Sequence, residues 1–73
     1  MEKDIRLIYR KIQLTKQRLR EAIKTLECLC ETVEPMNDSQ FSYLPNAIPH
    51  IEDSIHMLNY VQRQMREKDK KGV

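Results

Sequence analysis

The chain has 73 residues, a third of them charged, and its 13 Lys and Arg against 11 Asp and Glu give a net charge of +2. A chain of this size forms one domain, residues 1–73, and such small domains usually need a cross-link, a metal or an association for stability. It contains no run of about 18 apolar residues, so we expect no membrane-spanning segment.

The two cysteines, Cys28 and Cys30, do not supply a cross-link between distant segments. They are two residues apart in a predicted helix, where their side chains diverge by roughly 200°. We therefore expect reduced thiols and a cytoplasmic location. Stability then has to come from association, and a homodimer is the first expectation.

Residues 5–33 repeat their apolar side chains every seven positions. The first row of this repeat is Ile5, Ile12, Leu19, Leu26 and Val33. The second row is Ile8, Thr15, Ala22 and Leu29. The pattern predicts an amphipathic helix from about residue 3 to residue 33, which Pro35 ends. Further apolar residues widen the stripe on one flank; these are Tyr9, Ile23 and Cys30.

The connection, residues 34–45, mixes Pro, Asn, Asp and Ser with three apolar residues, Phe41, Tyr43 and Leu44. This composition suits an ordered connection whose aromatic residues cover the end of the core. Asp38-Ser39 is a capping pattern for a short helical turn within it.

The second helix is predicted from about residue 46 to residue 70, with Asn46 as its N-cap and Pro49 in its first turn. Its inward row is Ile48, Ile51, Ile55, Leu58, Gln62 and Met65. Two helices joined in this way predict an all-α antiparallel hairpin, which we expect to dimerise into a four-helix bundle. The two polar interruptions, Thr15 and Gln62, are expected to lie at neighbouring levels and to fix the register.

Aligning the helices from the connection places Leu29 beside Ile51 and Leu19 beside Gln62. The second helix then ends opposite Ile12, and the apolar residues before it form an overhang that needs a partner. The predicted partner-binding residues are Ile5, Leu7, Ile8, Tyr9 and Leu14, flanked by Arg6, Arg10 and Lys11.

The charges are segregated along the chain. All 13 Lys and Arg lie in Lys3–Lys24 or Arg63–Lys71, whereas residues 25–62 contain none and carry six acids. A chain that folds back on itself brings the two basic blocks together, which makes nucleic-acid binding an alternative. The residues predicted for that alternative are Arg10, Lys11, Arg18, Arg20, Lys24, Arg63 and Arg66. The blocks lack interleaved aromatic residues and helix-turn-helix spacing, and a basic rim that steers an acidic protein fits equally well.

The sequence offers no catalytic set and no Gly-rich phosphate loop, so we predict neither enzymatic activity nor a cofactor. Cys28, Cys30, His50 and His56 are the only metal-like group. The Cys spacing is narrower than that of zinc pairs, and the two His lie on nearly opposed helix faces, so no metal site is predicted. Cys30 is expected to pack in the core and Cys28 at its edge.

In outline, such a hairpin resembles the RNA-binding plasmid copy-number modulators and the small anti-regulators of bacterial kinases and transcription factors. The sporulation phosphatase pattern requires an Asp four residues after a Ser in the second helix, and Ser54 is followed at that spacing by Leu58. No family is assigned. The predicted function is a small non-enzymatic helical protein-binding module, a regulator or adaptor that works by helix–helix docking.

Overall fold

A computed structural model describes the backbone of residues 2–71 and the side chains of residues 4–68. Two long helices account for most of the described chain: α1 is Glu2–Val33 and α2 is Ala47–Lys71. No strand occurs within the described backbone. The prediction of an all-helical fold with two long helices is confirmed. Within this described part, neither helix is long and apolar enough to cross a membrane.

The helices pack side by side and antiparallel as a hairpin. The molecule measures 57 × 15 × 13 Å, and its radius of gyration is 17.1 Å. A compact domain of this length would have a radius of gyration of about 11 Å. Over the described residues 2–71, the chain is therefore a rod only two helices thick, and each long helix packs on just one other long helix.

The end of α1 is set by Pro35 and Asn37. Pro35 lies in a short 3-10 turn, Glu34–Met36, where its missing amide hydrogen is not needed. Asn37 follows with a φ of 49°, in the left-handed region that Asn tolerates better than most residues, and its N–H donates to the Glu34 carbonyl at 3.2 Å. The chain turns away from the axis of α1 at this residue.

Two further 3-10 turns, Ser39–Phe41 and Leu44–Asn46, complete the connection. The Asp38 carboxylate accepts a hydrogen bond from the Gln40 N–H at 3.1 Å, which confirms the predicted cap. Phe41 and Leu44 are half-buried, but Tyr43 is 79% exposed. The prediction that Tyr43 covers the core is wrong, because the third turn packs against α1 through the adjacent Leu44 and leaves Tyr43 in solvent.

The predicted register between the helices is also wrong. The Gln62 side-chain amide donates to the Tyr9 carbonyl at 3.3 Å and to Gln13 Oε1 at 3.0 Å, so Gln62 lies beside Gln13 rather than Leu19. The difference is about six residues, or roughly 9 Å along α1. Its cause is the third turn, Leu44–Asn46, which contacts α1, so the connection runs back along that helix before α2 begins.

The new register removes the predicted overhang. From Gln62, α2 continues to Lys71, and equal steps along the two antiparallel helices carry it alongside α1 to about Asp4. Ile8 and Tyr9 therefore lie beside the last turns of α2 and not beyond its end. Ile8 nevertheless remains exposed. The reason is that it lies on a side of α1 that α2 does not contact.

Candidate functional site

The most buried residues of the helix contact include polar side chains, and half-buried apolar residues such as Leu19, Leu26 and Ile51 accompany them. Of the described residues only three are buried: Gln62 at 2% exposure, Lys16 at 7% and Ile55 at 8%. Gln62 bonds to Gln13, and the Lys16 ammonium donates to Asn59 Oδ1 at 2.7 Å. We call these four residues, Gln13, Lys16, Asn59 and Gln62, the polar layer. Each pair joins a buried residue to an exposed one. Polar pairs between helices restrict the register in which the helices pack.

Thr15 does not belong to the polar layer, although the sequence predicted that it would lie near Gln62. Its hydroxyl donates to the Lys11 carbonyl of its own helix at 2.7 Å, and the residue is exposed. This is the usual i to i−4 bond of a Thr within a helix. Gln62 makes the expected cross-helix bonds, and Thr15 lies at a neighbouring level as expected, two residues from Gln13. Thr15 is not in the contact with α2, so the prediction that it fixes the register is wrong.

The side chain of Lys16 is buried, and its partly buried ammonium donates to a neutral amide. Burial lowers its pKa from the ordinary value of 10.5, and the nearby guanidinium groups of Arg20 and Arg66 lower the pKa further. The ammonium is partly shielded from water and gains no ion pair from its uncharged acceptor, so this residue contributes little to stability. Arg20 and Arg66 also show that residues from both predicted basic blocks converge on this side of the hairpin.

One side of α1 carries apolar residues that α2 does not cover. The row of α1 that faces α2 contains Tyr9 and Lys16. Each residue of the second apolar row, which begins with Ile8, comes one position before a residue of that row. The second apolar row is therefore rotated by about 100° around the axis of α1. On α2, Leu58 and Val61 likewise lie one residue before Asn59 and Gln62. On each helix, the residue that comes before a contact residue points to one side of the contact. Because the two helices run in opposite directions, this is the same side of the hairpin for both.

The two rows therefore form one continuous apolar surface, which we call the open face. Ile8, Leu29 and Val61 are exposed there, and the other members are half-buried. The open face consists of Ile8, Ala22, Leu29, Leu58, Val61 and Met65. Sequence reasoning found its α1 row as half of the helix repeat but assigned that row to the contact with α2.

The total surface measures how much the hairpin leaves uncovered. The chain exposes 6471 Å². A compact protein of its 8.8 kDa mass exposes about 4,800 Å², so the excess is roughly 1,700 Å². A stable protein–protein interface buries about 800 Å² on each partner. The excess is thus large enough for a complete interface.

The predicted partner-binding residues divide between different sides of α1. Ile8 belongs to the open face, whereas Tyr9 is half-buried and its carbonyl oxygen accepts from Gln62. Ile5 and Arg6 are exposed near the start of α1. The remaining four share the side of α1 that points away from α2, and all are exposed. We call this group the outer patch; it is Leu7, Arg10, Lys11 and Leu14.

The residues predicted for nucleic acid are all exposed but do not lie on a single face. Arg10, Lys11 and Arg18 lie on the outer side of α1. Arg20 and Arg66 lie near Lys16, on the side of the polar layer. The basic end of the rod is therefore basic all round, with no flat surface that collects its charge.

At the opposite end, the connection and the end of α1 border an open groove of about 480 Å³. Its lining includes Cys30, Val33, Asp38 and Phe41. Both thiols are free, with Cys28 exposed and Cys30 half-buried, as expected for an edge position and an inner one. Among the described side chains, no group of three or more His, Cys, Asp or Glu is placed to hold a metal ion.

Comparisons of this chain with protein-family models, with curated proteins and with solved structures found no match. The functional argument therefore depends on the chain's own surfaces. Three of them differ in chemistry: the apolar open face, the mixed apolar and basic outer patch, and the polar layer between the helices.

Proposed function

We propose that this chain is a small non-enzymatic helical binding module, a cytoplasmic regulator or adaptor, that acts as a homodimer. The two hairpins join through their open faces into a four-helix bundle. The observation that carries the proposal is the open face itself, which is continuous over both helices of the hairpin. The roughly 1,700 Å² of excess surface is about twice what one partner buries in a standard interface.

A second copy suits the open face better than an unrelated chain does. The face extends along both helices, so an occupant has to supply two apolar helical rows at matching separation. The hairpin has that arrangement, and a two-fold axis pairs one such surface with itself. Such pairing gives each helix a second apolar neighbour, which the isolated hairpin lacks.

The outer patch is then free to bind a different protein. In the dimer, the side of α1 that points away from α2 remains in solvent, with Leu7 and Leu14 seven residues apart on it. Two apolar anchors at this spacing fit one apolar stripe of a partner helix. Arg10 and Lys11 favour an acidic partner and accelerate its encounter.

The mass of the protein in solution, measured by light scattering after size exclusion over a range of dilutions, tests the dimer. We expect twice the chain mass. Val61→Glu places a charge within the open face and should give a monomer or an unfolded chain. Tyr60→Glu is the matched control: Tyr60 is the preceding residue, is also exposed, and points away from α1.

The Tyr60→Glu variant should keep the dimeric mass, as should Leu14→Glu in the outer patch. A native protein that is monomeric at every concentration, yet helical by circular dichroism, would contradict the proposed dimer. If Tyr60→Glu and Val61→Glu dissociate the dimer equally, the interface lies on another side of α2.

Nucleic-acid binding is the alternative, and the convergence of Arg20 and Arg66 on Lys16 favours it over a purely solvated basic end. The test is the affinity for duplex DNA and structured RNA as a function of salt. Binding through phosphates should weaken steeply with salt, and the double variant Arg20→Gln with Arg66→Gln should reduce the slope by about two. If no binding occurs even at low salt, this alternative is excluded.

A further inference from the structure

The rod has a basic end and an acidic end. The hydrogen bond between Gln13 and Gln62 fixes the antiparallel register, which brings Lys3–Lys24 and Arg63–Lys71 to the same end. Residues 25–50, which carry four acids and no Lys or Arg, form the other end. Residues 51–62 also lack Lys and Arg, carry two more acids, and lie beside residues 13–24 of α1. The open face crosses this charge boundary, because Ile8 lies at the basic end and Leu29 at the acidic end.

Two copies that meet through this face have two symmetric arrangements. With the two-fold axis along the rod, both connections lie at the same end, and each α1 packs on the partner's α2. With the axis across the rod, the connections lie at opposite ends, and each α1 packs on the partner's α1. The first arrangement places like charges together, and the second places each basic end beside an acidic end.

We infer that the second copy packs antiparallel to the first, with α1 against α1 and the two connections at opposite ends of the bundle. This inference rests on the proposed dimer and adds the orientation of its partner. The charge distribution supports it, since like ends side by side would concentrate most of the molecule's positive charge in one place.

The second apolar row of α1 supports the same orientation independently of charge. An axis across its middle pairs Ile8 with Leu29 of the second copy and Thr15 with Ala22. Each pair then matches a large side chain with a large one, or a small one with a small one. The small pair lies nearest the axis and allows the two α1 helices to approach closely there. On α2, the exposed Met57 lies at about the same level, at the edge of the open face next to Val61. Its counterpart in the second copy is therefore its neighbour in this orientation.

A distance between the two connections tests the orientation. A spin label is attached at Met36→Cys, an exposed position in the first 3-10 turn, in a background of Cys28→Ser and Cys30→Ala. Pulsed electron paramagnetic resonance should give an intermolecular distance on the order of the rod length, 57 Å. Parallel copies would instead give about 20 Å, two helix diameters. A label at Arg18→Cys, near the middle of the rod, is the control and should give a short distance in either orientation.

The outcomes separate the two proposals. A long Met36 distance with a short Arg18 distance supports the antiparallel dimer. Short distances at both sites overturn the orientation and leave the dimer intact. A monomeric mass for the labelled proteins and for the unlabelled chain overturns the proposed dimer, and the inference with it.

Discussion

The two sides of the helix pair have opposite chemistry. On one side, where the helices contact each other, the most buried residues are Gln62 and Lys16, and their hydrogen bonds cross between the helices. On the other side, apolar residues such as Ile8 and Val61 remain exposed. In a self-sufficient hairpin the apolar residues would fill the contact and the polar ones would face water.

This difference separates two physical roles. Polar contacts between helices add little stability but restrict which register and orientation are possible. Apolar surface adds stability but little direction. The hairpin contact therefore sets the arrangement of α1 and α2, while the apolar surface of the open face is still available for an association.

The largest effect is expected from apolar truncations on the two sides. Ile55→Ala removes the single buried apolar side chain among the described residues and should lower the free energy of unfolding by about 2–4 kcal/mol. Val61→Ala, in the open face, should cost about 1–2 kcal/mol if a second copy covers it. Tyr60→Phe, at an exposed position outside both surfaces, is the reference and should change the free energy of unfolding by less than about 0.5 kcal/mol. Urea denaturation at one fixed protein concentration measures all three.

If Val61→Ala has no more effect than the exposed reference, the open face is uncovered in solution. The contrast between the two sides would then describe an isolated hairpin, and its stability would have to come from elsewhere.

A smaller effect is expected when the polar layer is made apolar. Lys16→Met together with Asn59→Leu removes a partly buried charge and its exposed partner, and should raise the free energy of unfolding by up to about 1 kcal/mol. The variant should also lose its preference for one packing arrangement, because the polar layer and the open face are then both apolar. We expect several species in size exclusion in place of one.

The single variant Asn59→Leu is the control for that experiment. It removes the acceptor of a partly buried hydrogen bond from the Lys16 ammonium and should destabilise the protein by about 0.5–1.5 kcal/mol. If the double variant is instead less stable and still forms one species, the polar layer acts as a stabilising contact and the proposed division of roles is wrong.

The sequence was sufficient to predict the two helices, because the seven-residue repeat and Pro35 are local signals. The register was not predictable from such signals. It depends on whether Leu44–Asn46 extends the connection or packs back along α1, and that depends on contacts between distant residues. An alignment that starts from the connection carries this error into every pair, including Leu19 with Gln62.

The open face was only half predictable for a related reason. The repeat shows that α1 has two apolar rows but not which one α2 covers. A usable signal was Lys16, which continues the Tyr9, Ile23 and Cys30 flank at the same seven-residue spacing. A lone Lys within an apolar row indicates a position next to polar groups of a neighbouring helix, and Asn59 and Gln62 are such groups on α2.

The smallest effect is expected from pH and again concerns Lys16. Its pKa is lowered from 10.5 by burial and then by Arg20 and Arg66, so the folded protein releases this proton at a lower pH than the unfolded chain does. The protonated Lys16 ammonium destabilises the folded protein fully at any pH below the lowered pKa. This destabilisation decreases as the pH rises through the lowered pKa towards 10.5. The difference in urea midpoint between Lys16→Met and the native protein should therefore shrink between about pH 7 and pH 10. A difference that grows over that range would mean that the assembled protein raises the pKa of Lys16, as a carboxylate from a second copy would do, and the polar layer would then belong to an interface between chains.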